Sequence, residues 1–565
     1  MKQFTLFALC LLPLVSWSQS SFAPLNEDYY QKIDRYEVKA GRIYPEIFTS
    51  VKQYKRSAII AFIDSVEKAS VFKSKADLFN TEYLHNDSWE WADSAKNDSK
   101  RPILKTFYRK KSDLYHVNVR DFDLHVNPVL YVGMGKDSRS GDNLYINTRG
   151  IEVRGMIDRK VGFYSYLTDN QMLLPSYVND QMSLNYTVPH EGFWKSFKNG
   201  KAVDFLQARA YISFEATKHI NIQFGNDRNF IGNGYRSLIF SDYAPPTLFL
   251  KATAKVWKIN YMFLLNRMTA EAGGGPSGSK PTSLGYPVKY VAFHHLSINL
   301  GKKLNVGLFE SVIFNPKDSV SNNKFEYAYL NPVIFYRSLE QQSGSKDNVI
   351  LGMDFKWNAI RKVSIYGQLV LDEFVLAHIK ANDGWWANKY AIQGGVKYID
   401  AFGVSNLDLQ GEVNIVRPFT YSHNTQFGSY SNFNQPIAHP LGANFKEVVG
   451  ILRYQPLPRL TVTGKLIVAQ VGRDSTQTGA YNWGGNIFRD NSQDRNELGN
   501  KIAQGHKNSI MFGSVSISYM VKHNLFIDFN TIVRKSKCDL TFYNNNTTIT
   551  SLALRWNIPQ RLYEF

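Results

Sequence analysis

The sequence predicts an all-β fold, a transmembrane antiparallel β-barrel of the outer-membrane type with about 16–18 strands, carrying a small helical N-terminal segment on the periplasmic side. Three observations predict it. From about Asp121 onward, apolar residues recur with a period of two. The periodic runs are long for a sandwich, and the connections between them alternate between very short and long and polar. Beyond the first residues there is no continuous apolar stretch long enough for a helical span; the best block, Val363 to Ile379, is interrupted by Asp372 and Glu373.

The chain opens MKQFTLFALCLLPLVSWSQS. Lys2 supplies a positive charge, Phe4 to Val15 is apolar, and Ser16-Trp17-Ser18 offers small residues where a signal peptidase reads them. This layout predicts a signal peptide over residues 1–18, with an uncleaved anchor as the alternative. Leu9 before Cys10 is wrong for lipoprotein processing. With the signal removed, Cys538 stands alone, which excludes an intrachain disulfide and any two-cysteine redox or cysteine-ligated metal centre.

Residues 19–120 read as a helical periplasmic or plug segment. Tyr29, Ile33 and Tyr36 fall at helical spacing within Asn26–Lys39, as do Ile59, Phe62 and Val66 within Ser57–Lys68. Ser74 is placed to cap a third helix reaching Leu84. The polar stretch from His85 to Lys100 reads as a linker. These helices are short and modestly apolar, so they need a surface to pack on, and a barrel mouth or lumen would provide one.

Residues 121–565 read as the barrel. The clearest strand is Phe205–Ala216. Leu206, Ala208, Ala210, Ile212, Phe214 and Ala216 share one face, and Gln207, Arg209, Tyr211, Ser213 and Glu215 the other. Ile220, Ile222 and Phe224 resume the alternation after a short turn at Thr217–His219. Further runs are expected at Val256–Leu265, Val349–Trp357, Val363–Glu373 and Leu407–Val416, and at Phe122–Lys136, Leu144–Asp158, Val161–Leu167, Ala292–Leu300 and Leu304–Phe314. Toward the end come Glu447–Tyr454, Leu460–Gln470, Ser509–Tyr519, Leu525–Arg534 and Thr548–Trp556. The closing residues Arg561 to Phe565 resemble the terminal-strand signal read by the outer-membrane assembly machinery. Aromatic residues make up 14% of the chain, a supply that two interfacial girdles would use. The mean hydropathy of −0.31 fits a barrel, because only alternate strand residues face lipid.

The net charge of +18 is spread along the chain. It favours anionic partners, such as lipopolysaccharide phosphates or an acidic polysaccharide, over nucleic acid. A generally basic surface without a specific partner is the alternative. Arg228 and Arg236 flank the loop Ile231-Gly232-Asn233-Gly234, where two guanidiniums and backbone amides could hold a sugar carboxylate or phosphate. The alternative is a pair of arginines that fixes the loop by salt bridges. Arg417, Tyr421, His423 and His439 belong to a long loop expected on the extracellular side, able to stack on sugars and meet acidic ones. Pro418, Pro436 and Pro440 fit the alternative of a loop that folds inward. Asp354, Asp372 and Glu412 fall on polar faces expected to line the lumen, where charge is ordinary. Adjacent Asp372 and Glu373 point opposite ways on a strand, so they make no acid–base pair. The histidines carry no metal spacing, no cofactor motif appears, and no local catalytic signature points to an enzyme.

Several segments carry a family resemblance. These are Val416–His423, Asn434–Phe445, Gly225–Leu238 and Leu308–Phe314. Together they resemble the capsule-assembly Wzi-like outer-membrane barrels of Bacteroidetes, and within them the gliding-motility RemB-type proteins. The resemblance spans most of the chain beyond the signal. It implies an 18-stranded barrel with a helical periplasmic bundle, integral to the cell outer membrane. It further implies a non-enzymatic role in surface assembly, either attachment of capsule or exopolysaccharide or gliding motility with other surface-assembly proteins. A porin-like channel for oligosaccharides or other anionic solutes is the alternative. An open lumen would favour transport, and a filled one attachment.

Overall fold

The computed structural model describes residues 20–565 apart from 93, 276–277, 281–284, 316–324, 334, 344–346, 426 and 476–479. The expected signal peptide therefore lies outside the described residues.

Eighteen antiparallel strands close on themselves. In chain order they are β1 (Phe122–Asp137), β2 (Asn143–Ile157), β3 (Val161–Leu173), β4 (Ala202–Thr217), β5 (Ile220–Asp227) and β6 (Thr247–Val256). There follow β7 (Ile259–Thr269), β8 (Val288–Leu300), β9 (Leu304–Phe314), β10 (Asn348–Ile360), β11 (Val363–Glu373) and β12 (Lys389–Tyr398). The last six are β13 (Leu407–Val416), β14 (Phe445–Leu457), β15 (Leu460–Arg473), β16 (His506–Lys522), β17 (Leu525–Lys537) and β18 (Asn545–Trp556). Each pairs with its neighbour in sequence, and β18 returns to β1 with Leu552 opposite Met134. Such a barrel has no free edge to aggregate through.

Two strands escape the period-two reading, β6 and β12. In β12 the run Gly394-Gly395 breaks the apolar face. At β6 the sequence expectation ran a strand through Val256–Leu265, whereas Trp257-Lys258 is a tight turn, with Trp257 in the left-handed region (φ 54°). The outward face changes from even-numbered residues in β6 to odd-numbered ones in β7, but Trp257 in the turn extends the odd-numbered apolar run of Ile259, Tyr261, Phe263 and Leu265, which hid the turn from the periodicity. The terminal strand ends at Trp556 as expected, but Arg561–Phe565, which resemble a terminal-strand signal, belong to no strand, and residues 557–565 run inside the barrel.

The two faces sort as pleating dictates. Outward residues form an exposed apolar belt that includes Leu206 (65% exposed), Phe224 (51%) and Leu308 (58%). Exposed aromatics mark both rims: Trp257, Trp357 and Phe402 at the short-turn end, Phe193, Phe374 and Phe542 at the long-loop end. A belt of this kind is the surface of a barrel that sits in lipid.

Three helices lie at the short-turn rim: α1 (Glu27–Ala40), α2 (Arg56–Lys68) and α3 (Lys75–Asp87). Asn26 caps α1 by accepting from the Asp28 N–H, and Gly41 ends it in the left-handed region (φ 69°). Ser74 and Asp77 form a reciprocal capping box on α3. Tyr29, Ile33, Tyr36, Phe62, Ile63 and Leu84 make the helices' own core. Shorter helices α4 (Ser176–Asn185), α5 (Tyr336–Ser343) and α6 (Leu376–Ala381) belong to the long-loop side.

Candidate functional site

The lumen is the first place to look, because an 18-stranded barrel is wide enough for water unless something fills it. Four segments fill this one. The helical segment enters from the short-turn rim, residues 228–246 and 417–444 fold in from the long-loop rim, and residues 557–565 lie between them.

The helical segment is held by charge. One face of α1 presents Glu27, Asp28, Asp34 and Glu37 to basic side chains on inward faces of the strands. Asp34 meets Lys356 at 2.6 Å and Lys397 at 2.6 Å, and Glu37 bonds the same Lys356. Glu27 meets Lys465 at 2.8 Å and also Arg453, and Asp28 meets Arg555 at 3.0 Å. Arg35 reaches the other way, to Asp77 (3.2 Å) and Asp408 (3.0 Å), tying α1 to α3 and to β13. Burial would push the Asp34 carboxyl up, but the ammonium groups of Lys356 and Lys397 outweigh it and hold the group far below the usual carboxylate range. The same balance, with Lys465 and Arg453 as the cations, brings Glu27 down to about 2. A two-residue ladder joins the segment to an inward loop, Val51 opposite Ile231 and Lys52 opposite Phe230.

Loop 228–246 hangs on one carboxylate. Glu412, on the inward face of β13, accepts from the N–H groups of Tyr235 (2.7 Å) and Arg236 (3.1 Å), from the Tyr366 hydroxyl (2.8 Å) and from the Asn414 amide (2.9 Å). Gly232 sits at φ +143°, and a Cβ there would lie 2.4 Å from the Gln368 amide nitrogen, so only glycine fits. Arg236 donates to Glu447 (3.2 Å) and to the Glu564 carbonyl. Arg228 donates to the His190 carbonyl and to Glu191 (3.3 Å). The Nε–H groups of both arginines lack a protein acceptor among the described residues. Both line a cavity of about 300 Å³, together with Asp242, Tyr243 and residues of the 557–565 segment. His190, also there, is pushed down to about 3 by burial and by the Arg228 charge, and so is neutral.

Loop 417–444 takes the inward course left open by the sequence. Tyr421 is buried, its N–H on Asp372 (2.8 Å) and its hydroxyl on the Leu238 carbonyl (2.6 Å). His439 is fully buried against Glu447 (2.8 Å). His423 is half-buried at the loop's outer side, and burial lowers its pKa. In this arrangement Tyr421 and His439 hold the loop and present no surface to a sugar. Asp354 and Asp372 are inward as well. Asp354 bonds His295. Asp372 lies 3.7 Å from Lys389, which also contacts Glu373 at 2.9 Å. The expectation that Asp372 and Glu373 point apart fails locally, because the register shifts between Leu371 and Glu373 and lets one lysine reach both.

The surface that remains open is at the long-loop rim, and Arg417 belongs to it. Its guanidinium donates to the Trp385 carbonyl (3.2 Å) and lies 5.5 Å from the Tyr390 ring centre. Trp385 stacks on His378 at 4.5 Å, and Asp383 fixes that histidine at 2.6 Å. The neighbouring Trp386 carries the Arg495 guanidinium 3.5 Å from its ring centre. Both tryptophans are half-buried. Backbone bonds knit the loops together, Trp386 N–H to Glu497 O (2.9 Å) and Gly499 N–H to Asp383 O (2.8 Å). Two indoles beside two guanidiniums can stack on sugar rings and meet their carboxylates. The sequence reading passed over Trp385, Trp386 and Arg495. A Trp-Trp pair in a polar loop was the available signal, but Arg495 is more than a hundred residues away and only folding brings it near.

Comparison of the sequence with protein-family models and with curated proteins finds no match. Comparison of the fold with solved structures finds Wzi of Escherichia coli, an outer-membrane, carbohydrate-binding β-barrel involved in group 1 capsule assembly. It is 12% identical with a TM-score of 0.54, over 96% of this chain and 100% of that one. OccK8 and OprD of Pseudomonas aeruginosa each align at 10% identity and a TM-score of 0.41 over 77% of this chain, covering 97% and 94% of theirs. At these identities the likeness is one of fold, that of an outer-membrane barrel.

Proposed function

We propose that this protein is an integral outer-membrane barrel that conducts no solute and holds an acidic polysaccharide at the cell surface. The short turns then face the periplasm and the long loops the exterior. The observation that carries the first half is the filled lumen. Inward side chains that water would bathe in an open pore, such as Gln223, Lys356, Asn414 and Arg555, are buried. The rim cluster of Trp385, Trp386, Arg417 and Arg495 supports the second half. So does the description of Wzi as a carbohydrate-binding barrel of capsule assembly. The role covers attachment of capsule or exopolysaccharide and, by the family resemblance, the surface anchoring used in gliding.

Two measurements test it. The intact chain in planar bilayers should give no conductance steps, and large steady steps would make it a channel. A polyuronate titrated into the purified protein should bind, and Trp386→Ala or Arg417→Ala should each weaken it about tenfold, the equivalent of ~1.4 kcal/mol. Binding that is absent, or indifferent to both substitutions, would remove the attachment reading.

A further inference from the structure

The connection between β9 and β10 does not stand above the barrel. Its residues 325–333 and 335–343 turn back and lie against the outer wall. Two outward positions on adjacent strands explain why. His294 on β8 and Glu310 on β9 are register partners, placed where their neighbours Leu296 and Leu308 belong to the exposed apolar belt. A lone carboxylate facing lipid would be costly. The outward pair Arg149 and Asp169 avoids this cost by pairing directly, at 3.1 Å. Glu310 and His294 are instead satisfied by the returning segment. Glu310 accepts from the N–H groups of Tyr336 and Arg337 at 2.8 Å each, which also caps α5. His294 Nε2 shares a 2.6 Å hydrogen bond with the Tyr336 hydroxyl. Around these contacts Ala292, Val312, Phe314, Tyr329 and Tyr336 form a separate apolar core on the outside of the barrel.

Between Tyr327 and Phe335 the exposed side chains are mainly apolar, whereas α5 beyond them turns Arg337, Ser338, Gln341 and Gln342 outward. Tyr327 is 72% exposed, Val333 84% and Phe335 77%. Several of the segment's irregular backbone groups bond internally or to the wall. Asn331 N–H reaches Ala328 O at 3.1 Å, Val333 N–H reaches Asn331 Oδ1 at 3.1 Å, and the Tyr261 hydroxyl meets Pro332 O. Non-helical backbone survives at membrane depth only when its polar groups are met in this way. Phe335 precedes the turn held by Glu310, four residues below the end of β9. It therefore lies beneath the rim aromatics Phe374 and Phe542, within the outer half of the belt.

We propose that residues 327–333, with Phe335, form a strap embedded in the outer-leaflet half of the bilayer, anchored through Tyr336 by Glu310 and His294, with Tyr327, Val333 and Phe335 in contact with acyl chains and the polar face of α5 turned toward the loop side. Continuity with the belt identifies lipid as the occupant. The proposal rests on the barrel's membrane location but not on its ligand.

The test is a nitroxide at Val333→Cys, in full-length protein lacking Cys10 and Cys538, reconstituted in phosphatidylcholine vesicles. Leu308→Cys serves as the lipid reference and Lys501→Cys as the aqueous one. The expected result is collision with oxygen and loss of collision with a water-soluble nickel chelate, matching the Leu308 site. Nickel access equal to that at Lys501 would put the strap in water and overturn the proposal. Poor access for both reagents would mean a protein, a second copy or another chain, covers it, and would overturn lipid as the occupant. A nickel-accessible Leu308 site would overturn the membrane location itself. Glu310→Ala should detach the strap and return the Val333 label to nickel, and an unchanged label would remove Glu310 as the anchor.

Discussion

Lys356→Met tests whether buried charge holds the helical segment in the mouth. Lys356 is 1% exposed and serves two carboxylates, Asp34 at 2.6 Å and Glu37. Methionine keeps the volume and removes the cation. Asp34 retains Lys397 at 2.6 Å, so the damage centres on Glu37, which is left with the Thr49 hydroxyl (3.1 Å) and the Tyr44 N–H (3.3 Å). Removing one partner of a buried pair costs about 3–5 kcal/mol, because the other charge stays desolvated. A loss of ~4 kcal/mol is about a thousandfold in the ratio of docked to undocked states. Hydrogen exchange of α1 amides should therefore accelerate by about that factor, while amides of β14 to β17 keep their protection. Adding Glu37→Gln should restore much of the protection, because the stranded charge is gone. If α1 exchanges at the wild-type rate in Lys356→Met, ion pairing is not what seats the segment.

Three more predictions concern the filled lumen. Glu27, at about 2, and Asp34, far below its ordinary value, are acids depressed in the folded state, so they stabilise docking at every pH above the unfolded value near 4. Protection of α1 should stay flat from pH 8 to 5 and fall only as pH drops from about 4.5 toward 2, and loosening that begins near pH 6.5 would point to a histidine instead. Glu412→Ala strands the Tyr235 and Arg236 N–H groups and the Tyr366 hydroxyl, so thermal unfolding should shift down by the equivalent of about 3–5 kcal/mol; a neutral outcome would mean the loop is not held there. Glu564→Ala removes one of the two carboxylates on Lys465 (3.0 Å), leaving Glu27, and takes away the acceptor of the Tyr235 hydroxyl. It should lower the unfolding midpoint in a heat-modifiability gel, and a wild-type midpoint would show that residues 557–565 do not brace the interior.

Most of the barrel was legible because pleating writes itself into sequence as alternation. Sixteen of the strands were visible in this way, among them Phe205–Ala216 and Leu304–Phe314. The losses have physical reasons. Glycines in β12 carry no side chain to alternate, and Trp257 in the turn carries the apolar run of β7 back over it and masks the break. The site was harder to read. The sequence leaves Arg228 and Arg236 open between ligand contacts and salt-bridge partners that fix the loop, and their guanidiniums bond Glu191 and Glu447. Nothing local marks those partners, which lie 37 and 211 residues away. The acidic face of α1 and the basic inward faces of β10, β12, β14, β15 and β18 were each present in the sequence. Their complementarity appears only once the barrel has closed.

The order in which these pieces meet is constrained by where they enter. Residues 557–565 follow β18 at the short-turn rim and pass inward through the same mouth that the helical segment covers. Asn26 and Asp28 lie over that path, with Arg555 bonding Asp28 on one side and the Ile558 carbonyl on the other. The wall must therefore close, and residues 557–565 enter, before α1 can seat. Synthesis makes α1 first. During biogenesis the earliest-made helix waits longest, with its carboxylates in water, for basic partners more than three hundred residues behind it in synthesis.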